Sequence, residues 1–140
     1  MKKLTIFILI AILFTFSACG ASTASIIEEN FLSEGYEIVE NSANVLEDYA
    51  PEFLVEDITV HVYSNNRNFS VAIILEYSSK DRLRDAFFEN PALQEYIDGA
   101  EGEDKDSFYD SAVESGFVRD NCILVPISMQ VDQIKEIFNR

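Results

Sequence analysis

The chain has 140 residues, which is enough for one domain, and its 48% apolar and 25% charged residues are typical of a globular protein. Its 25 acidic side chains outnumber its 10 Lys and Arg, which gives a formal net charge of -15. This excess of acid argues against binding to a nucleic-acid backbone, which relies on clustered Lys and Arg. It also argues against a polybasic mode of membrane attachment.

The first 18 residues have the architecture of a signal peptide. Lys2 and Lys3 form a short basic region, and an apolar run broken only by two threonines follows over residues 4–16. A helix of this length spans about 20 Å, whereas the hydrocarbon core of a bilayer is roughly 30 Å thick. A removable leader is therefore favoured over a permanent transmembrane helix.

The segment Phe16-Ser17-Ala18-Cys19 resembles the lipobox of bacterial lipoproteins, with phenylalanine where leucine is usual. In that family the cysteine thiol receives a diacylglyceryl group, and a dedicated peptidase then cleaves just before it. The resemblance implies cleavage between Ala18 and Cys19 and lipid attachment at Cys19. It also implies that residues 19–24 are a short lipidated tether and that the protein is extracytoplasmic, anchored to the cell membrane.

The place where the leader is cut decides where the mature chain begins. Cleavage before Cys19 removes Lys2 and Lys3 and no acid, so that 8 basic side chains remain against 25 acidic ones, a formal charge of -17. An ordinary secretory signal, cut after a small pair such as Ser22 and Ala24, is the alternative.

The cysteine count bears on the stability of the exported part. If Cys19 is acylated, Cys122 has no intramolecular partner and the domain has no disulfide. Cys122 lies in an apolar, strand-like run over residues 121–125, which is typical of a cysteine that serves as a small buried hydrophobe.

The first half of the exported part predicts two helices around a short strand. Ser25 and Glu28 have the spacing of a capping box and Gly35 suits the C′ position, which predicts a helix over 25–34. Residues 36–39 alternate as a strand. A second helix is expected to begin at Asn41 or Ser42, to carry Val45, Leu46 and Tyr49, and to stop at Pro51.

The clearest β signal is a hairpin. Residues 58–63 and 69–77 both alternate with a period of two, and the Asn-rich segment 64–68 between them is a turn. Additional apolar residues thicken the second run, which predicts a central strand covered on part of both faces. The predicted apolar positions of one face are Ile58, Val60, Val62, Phe69, Val71, Ile73, Leu75 and Tyr77.

The second half begins with a helix that Ser78 or Ser79 would cap, with Leu83, Ala86, Phe87 and Asn90 on its inner side. Pro91 would interrupt this helix and restart a second piece over 92–98. The acidic segment 98–106 reads as a loop, and residues 107–114 are ambiguous between helix and strand.

The chain closes with another hairpin and a last helix. Residues 116–119 and 122–127 flank Asp120-Asn121, a pair that tolerates the left-handed turn conformation. The last helix is expected to start at Ser128. Its apolar face would consist of Val131, Ile134 and Phe138.

Hairpins rather than repeated βαβ units predict an antiparallel sheet. We therefore expect residues 25–140 to form a single α+β domain, with a sheet of about four to five strands and helices packed on one face. The domain also loosely resembles those of small lipoproteins of Gram-positive bacteria, through Gly35-Tyr36-Glu37-Ile38 and Tyr77-Ser78-Ser79-Lys80. That resemblance carries no catalytic or binding residue.

No motif assigns a catalytic residue. His61, the single histidine, is expected to be a solvated or partly covered strand residue. There is no Gly-x-Ser-x-Gly elbow, and the five glycines form neither a phosphate loop nor a dinucleotide fingerprint. We expect no cofactor, no metal and no nucleic-acid partner.

The acidic residues between 98 and 110 offer the best local candidate for a specific site. Calcium prefers six to eight oxygen ligands, which an acidic loop with glycines can supply, but no register here fits the EF-hand pattern. A solvated charged loop is the favoured interpretation.

Three hypotheses follow for the function. The favoured one is a non-catalytic, lipid-anchored module that binds an envelope protein, peptide or polymer. The alternatives are a small envelope hydrolase that uses dispersed carboxylates and His61, and a calcium-dependent surface module that uses residues 98–110.

Overall fold

The structure is a computed structural model that describes residues 20–42, 44, 58–97 and 99–140. In this part of the chain, none of the helices has the length and apolarity needed to cross a bilayer. The helices are α1 (Thr23–Ser33), α2 (Lys80–Glu89), α3 (Pro91–Tyr96), α4 (Lys105–Glu114) and α5 (Val131–Asn139). The strands are β1 (Glu37–Ile38), β2 (Ile58–Asn65), β3 (Ser70–Tyr77), β4 (Val118–Arg119) and β5 (Cys122–Ile127).

The five strands form one antiparallel sheet in the order β1-β2-β3-β5-β4. The predicted hairpin of β2 and β3 is confirmed, with Asn65 opposite Ser70 across the turn. The second hairpin is also confirmed, and Asp120 adopts the expected positive φ, of 53°. The strand predicted to be central, β3, lies in the middle of the sheet.

The central strand separates two apolar layers. Ile73 and Leu75 pack in one cluster with residues of α2 and α4, whereas Ala72 and Ile74 pack in the other with residues of α1 and α5. The α+β class and the antiparallel sheet are confirmed, but helices cover both faces of the sheet rather than the single face expected. The physical reason is that β3 carries apolar side chains on both of its faces, and each face has to be shielded from water.

The first helix begins earlier than predicted. Ser22, not Ser25, is the N-cap, and its hydroxyl oxygen accepts a hydrogen bond from the backbone N–H of Ser25 at 3.2 Å. The expected inner face is present, since Ile27 and Phe31 are fully buried. Gly35 ends the helix with a φ of 81°, as its C′ position predicted.

The first apolar position predicted for β3 is wrong. Phe69 belongs to the turn before β3, and 90% of its surface is exposed. The strand proper begins at Ser70, which is buried.

The later helices follow the predictions, with shifts at their ends. Ser79 caps α2 and Pro91 opens α3, as expected. The ambiguous segment 107–114 is helical and belongs to α4, whose N-cap is Asp104. The last helix starts at Val131 rather than at Ser128. For the second predicted helix, Val45, Leu46 and Tyr49 lie outside the described residues.

At one edge of the sheet, Pro126 leaves β5 without one backbone N–H donor. The N–H of Leu124 points toward β4, where it donates to the carbonyl of Phe117 at 2.8 Å. Because backbone direction repeats every two residues, the nitrogen of Pro126 faces the same side, past the end of β4. A proline there cannot donate to an incoming strand, which discourages edge-to-edge pairing.

The two-sided burial of β3 predicts where the fold is most sensitive to truncation. Ile74 is fully buried in the central strand, whereas Ile38 on the edge strand β1 is 53% exposed. We expect Ile74→Ala to lower the free energy of unfolding by about 2–5 kcal/mol, because it leaves a cavity. The matched Ile38→Ala change should cost less than about 1 kcal/mol. Urea denaturation followed by circular dichroism measures both, and equal losses would contradict this two-layer core.

Candidate functional site

The one histidine is hydrogen-bonded to a carboxylate in a partly exposed position. His61 Nε2 lies 2.8 Å from Glu76 Oε2 across the β2–β3 pair, and each side chain is about one quarter exposed. A depression of about 360 Å³ lies at this end of the strands, lined by Thr59, Glu76, Ser78 and Asn121 among others. His61 is thus the partly covered strand residue that was expected, and its ring is bound to a carboxylate.

The thiol next to this pair is inert. Cys122 lies opposite Glu76 in the β3–β5 register and is fully buried. Burial, with Glu76 and Asp120 adding to the effect, raises the pKa of the Cys122 thiol to about 12. The thiolate, which is the nucleophilic form, is therefore not populated at neutral pH, and Cys122 is the small buried hydrophobe that was predicted.

Three charged residues of the acidic segment considered for calcium make structural contacts. Asp104 caps α4 in a capping box with Ser107, whose backbone N–H lowers the pKa of the Asp104 carboxyl. Arg84 binds Asp106 at 3.2 Å, and Lys105 pairs with Asp85. Within residues 20–42, 44, 58–97 and 99–140, no three His, Cys, Asp or Glu side chains are grouped to hold a metal ion.

The amino-terminal end of the fold is attached to the β4–β5 turn. Thr23, the first residue of α1, donates from its hydroxyl to Asp120 Oδ2 at 2.9 Å. Ala24 is buried in the adjoining apolar layer. We call this place, defined by Thr23 and Asp120, the tether end of the sheet. The predicted cleavage and lipidation residues, Ala18 and Cys19, lie outside the described residues.

Exposed apolar side chains gather at the opposite end of the sheet. Val71 of β3 pairs with Ile127 of β5, and the chain continues past this pair to Phe69 on one side and Met129 on the other. Ile127 is 53% exposed, Phe69 is 90% exposed and Met129 is fully exposed. We call the side chains of Phe69, Ile127 and Met129 the apolar end.

Phe69 has a backbone conformation that suits a different type of residue. Its φ is 54°, in the left-handed region. The other non-glycine residues with positive φ in the described part of the chain are Asn41 and Asp120, which are types that tolerate it. A bulky side chain in this region costs about 1–2 kcal/mol.

Hydrogen bonds hold this turn in place. Asn65 Oδ1 accepts from the backbone N–H of Arg67 at 3.0 Å, and Asn68 Oδ1 accepts from the Ser70 hydroxyl. The Ser70 hydroxyl also lies 2.8 Å from the Tyr36 hydroxyl in a buried contact. These bonds join the turn to the core, so the fold fixes the position in which Phe69 is exposed.

The sequence contained a signal for this exposed phenylalanine that the alternation pattern hid. The asparagines over 65–68 predicted a turn, but the strict alternation of residues 69–77 assigned Phe69 to the core face. The exposure of Ile127 had no local signal, because it continues an apolar run that is buried up to Val125. Met129 lies outside that run, between the polar residues Ser128 and Gln130.

Comparisons with known proteins assign neither a family nor a fold relative to the chain. The chain matches no family model, no curated protein and no solved structure.

The burial of Cys122 predicts slow reaction of its thiol. In a Cys19→Ala chain, where Cys122 is the remaining cysteine, Ellman's reagent at pH 8 should react at least about 100-fold more slowly in native buffer than in urea. The reason is that the thiol is both inaccessible and protonated, with its pKa raised to about 12. Equal rates in the two solvents would contradict the burial of this thiol.

The conformation of Phe69 predicts a substitution that stabilises the fold. We expect Phe69→Asn to raise the free energy of unfolding by about 1 kcal/mol, because asparagine tolerates a positive φ and the exposed ring contributes little burial. Phe69→Leu is the matched control, since leucine meets the same backbone conformation and should leave stability unchanged. Urea denaturation measures both, and a loss of stability with Phe69→Asn would contradict the strained exposed turn.

Proposed function

We propose that this protein is an extracytoplasmic lipoprotein, anchored to the cell membrane through Cys19, that binds another component of the cell envelope without catalysing a reaction. The basic, apolar and small-residue parts of the leader support the anchor, together with the lipobox-like segment 16–19. The exposed apolar end supports a role in binding, since it leaves three large apolar side chains in water at one end of the sheet.

The proposal that the leader is cut before Cys19 is supported by the contacts that Ser22, Thr23 and Ala24 make in the fold. An ordinary secretory cut after Ala24 would remove the N-cap of α1, the bond from Thr23 to Asp120 and a buried methyl group. Loss of an N-cap alone costs about 1 kcal/mol. A cut before Cys19 keeps all three, so the fold favours the lipobox site over the secretory alternative.

A short tether would hold the domain close to the membrane. Ser22 is the third residue after Cys19, and a fully extended chain covers at most about 3.6 Å per residue. Ser22, the N-cap of α1, would therefore stay within roughly 11 Å of the acylated cysteine. The diacylglyceryl group of the lipoprotein family supplies two chains, which anchor firmly where a single chain binds reversibly.

The charge of the mature chain would select its partners. Processing before Cys19 leaves a formal charge of -17, with 8 basic side chains against 25 acidic ones. Such a surface attracts cationic partners and is repelled by anionic lipids and polymers. It also keeps a protein concentrated at the membrane from associating with itself.

The anchor is tested by removing its thiol. We expect Cys19→Ala to abolish incorporation of labelled fatty acid, because no sulfur remains for the thioether at that position. The variant protein should also leave the membrane fraction. Cys122→Ala is the matched control, since it removes the chain's other cysteine and should leave acylation and fractionation unchanged.

Two results would contradict the anchor. One is acyl label that persists in the Cys19→Ala protein. The other is a mature wild-type chain whose amino-terminal residue is Ser25, which would show cleavage after Ala24.

A further inference from the structure

We propose that the apolar end is a docking surface for a second envelope protein, whose apolar recess takes the Phe69 ring and is bordered by Lys or Arg. Ile127 and Met129 would lie against the wall of that recess. The inference rests on the proposed function in one respect, namely that the anchor at Cys19 holds the opposite end of the sheet toward the membrane.

The geometry gives Phe69 the properties of a binding anchor. Aromatic residues dominate the energetics of protein interfaces, and they do so best when they are already in the bound conformation. The bonds of Asn65 and Asn68 fix the turn, and the buried contact of Ser70 with Tyr36 connects it to the core. Phe69 is therefore held in one position. The turn would lose little conformational entropy when a partner binds.

The backbone strain at this position is a second observation that points to binding. The turn keeps a phenylalanine where asparagine would relieve the strain, although 90% of its surface is exposed and stabilises no core. Strain kept at an exposed position is typical of functional sites. Burial of the ring by a bound partner would explain why an apolar side chain is kept at this exposed position.

The membrane of the same cell is a poor occupant for this surface. β3 has eight residues, which places the apolar end about 26 Å from the tether end at 3.3 Å per residue. A domain held through Cys19 thus carries Phe69 on the side away from its anchor. The negative charge of the domain also opposes its lying flat on anionic lipids.

A second copy of this chain is also a poor occupant. Two copies would bring together surfaces that each belong to a chain with a formal charge of -15. Strand addition beside Ile127 is opposed by Pro126, whose nitrogen cannot donate to an incoming strand.

The excess of acid over the whole chain favours a basic partner. Glu37 on β1 is exposed near the turn that carries Phe69, and the side chain of Asp132, three residues after Met129, is fully exposed. Arg67 in the turn and Lys135, whose Nζ lies 3.8 Å from Asp132 Oδ1, are the opposing charges. Lys or Arg around the partner's recess would complement the net charge of the whole chain, and would make association dependent on salt.

The test uses the full-length protein in the cells that produce it. Met129 is replaced by the photo-crosslinking residue p-benzoylphenylalanine, and irradiation of intact cells should give one protein adduct. The matched control places the same residue at Thr59, which is exposed and pairs with Glu76 at the opposite end of the sheet, and should give no such adduct. Adding Phe69→Asn should reduce the adduct at position 129 by about tenfold or more at equal protein level, as expected for loss of a hot spot. Phe69→Leu, which keeps an apolar side chain, should reduce it less.

The crosslinked protein is then identified, purified and titrated against wild-type and Phe69→Asn chains in detergent. We expect Phe69→Asn to raise the Kd by about tenfold or more, and high salt to raise the Kd of the wild-type chain. Because Phe69→Asn is expected to stabilise the fold, weaker binding by this variant cannot be attributed to unfolding.

Four outcomes would overturn the inference. They are no protein adduct at position 129, an adduct with the mass of two copies of this chain, an adduct only with lipid, and a Kd that Phe69→Asn or salt leaves unchanged. Failure of the anchor is seen separately, since Cys19→Ala would then keep its acyl label while the Phe69-dependent adduct still forms.

Discussion

The burial of β3 on both of its faces is the constraint on which the rest of the structure depends. Ile73 and Leu75 need cover on one side, and Ala72 and Ile74 need it on the other. Helices α2 and α4 supply the first cover, and α1 and α5 supply the second. Helices from both halves of the chain thus shield one strand. The amino-terminal helix α1 therefore belongs to the core, although it directly follows the segment interpreted as a leader and tether.

This arrangement occupies both faces of the sheet and leaves its two ends as the places for the proposed roles. Both faces are apolar and occupied by helices, so a group placed there, such as Cys122, loses contact with water and its chemical reactivity. At the tether end the strands meet the start of α1 and carry the His61–Glu76 pair. At the other end Phe69 and Met129 extend past the sheet, where no helix of the described chain covers them. The proposed roles of attachment and docking correspond to these two ends.

Much of the fold could be predicted because its signals are local. The alternation in β2 and β3, the Asp-Asn turn before β5 and the proline between α2 and α3 each specify a backbone conformation within a few residues. Predictions were wrong where a contact between residues far apart in sequence determined the local structure. Two serines compete to cap α1, and Ser22 is favoured by the neighbouring contact of Thr23 with Asp120, which is 97 residues away in the chain. Which faces the helices cover likewise depends on packing between segments far apart in sequence.

The candidate sites divide in the same way. The sequence by itself determined the excess of acid, the lipobox-like segment ending at Cys19 and the apolar environment of Cys122, because composition and short motifs require no folded partner. Only the tertiary structure decided that Phe69 leaves the core and lies at the same end as Ile127 and Met129. Exposure is a property of what packs against a side chain, and the pairing of Val71 with Ile127 that brings these residues to one end joins positions 56 residues apart in the chain.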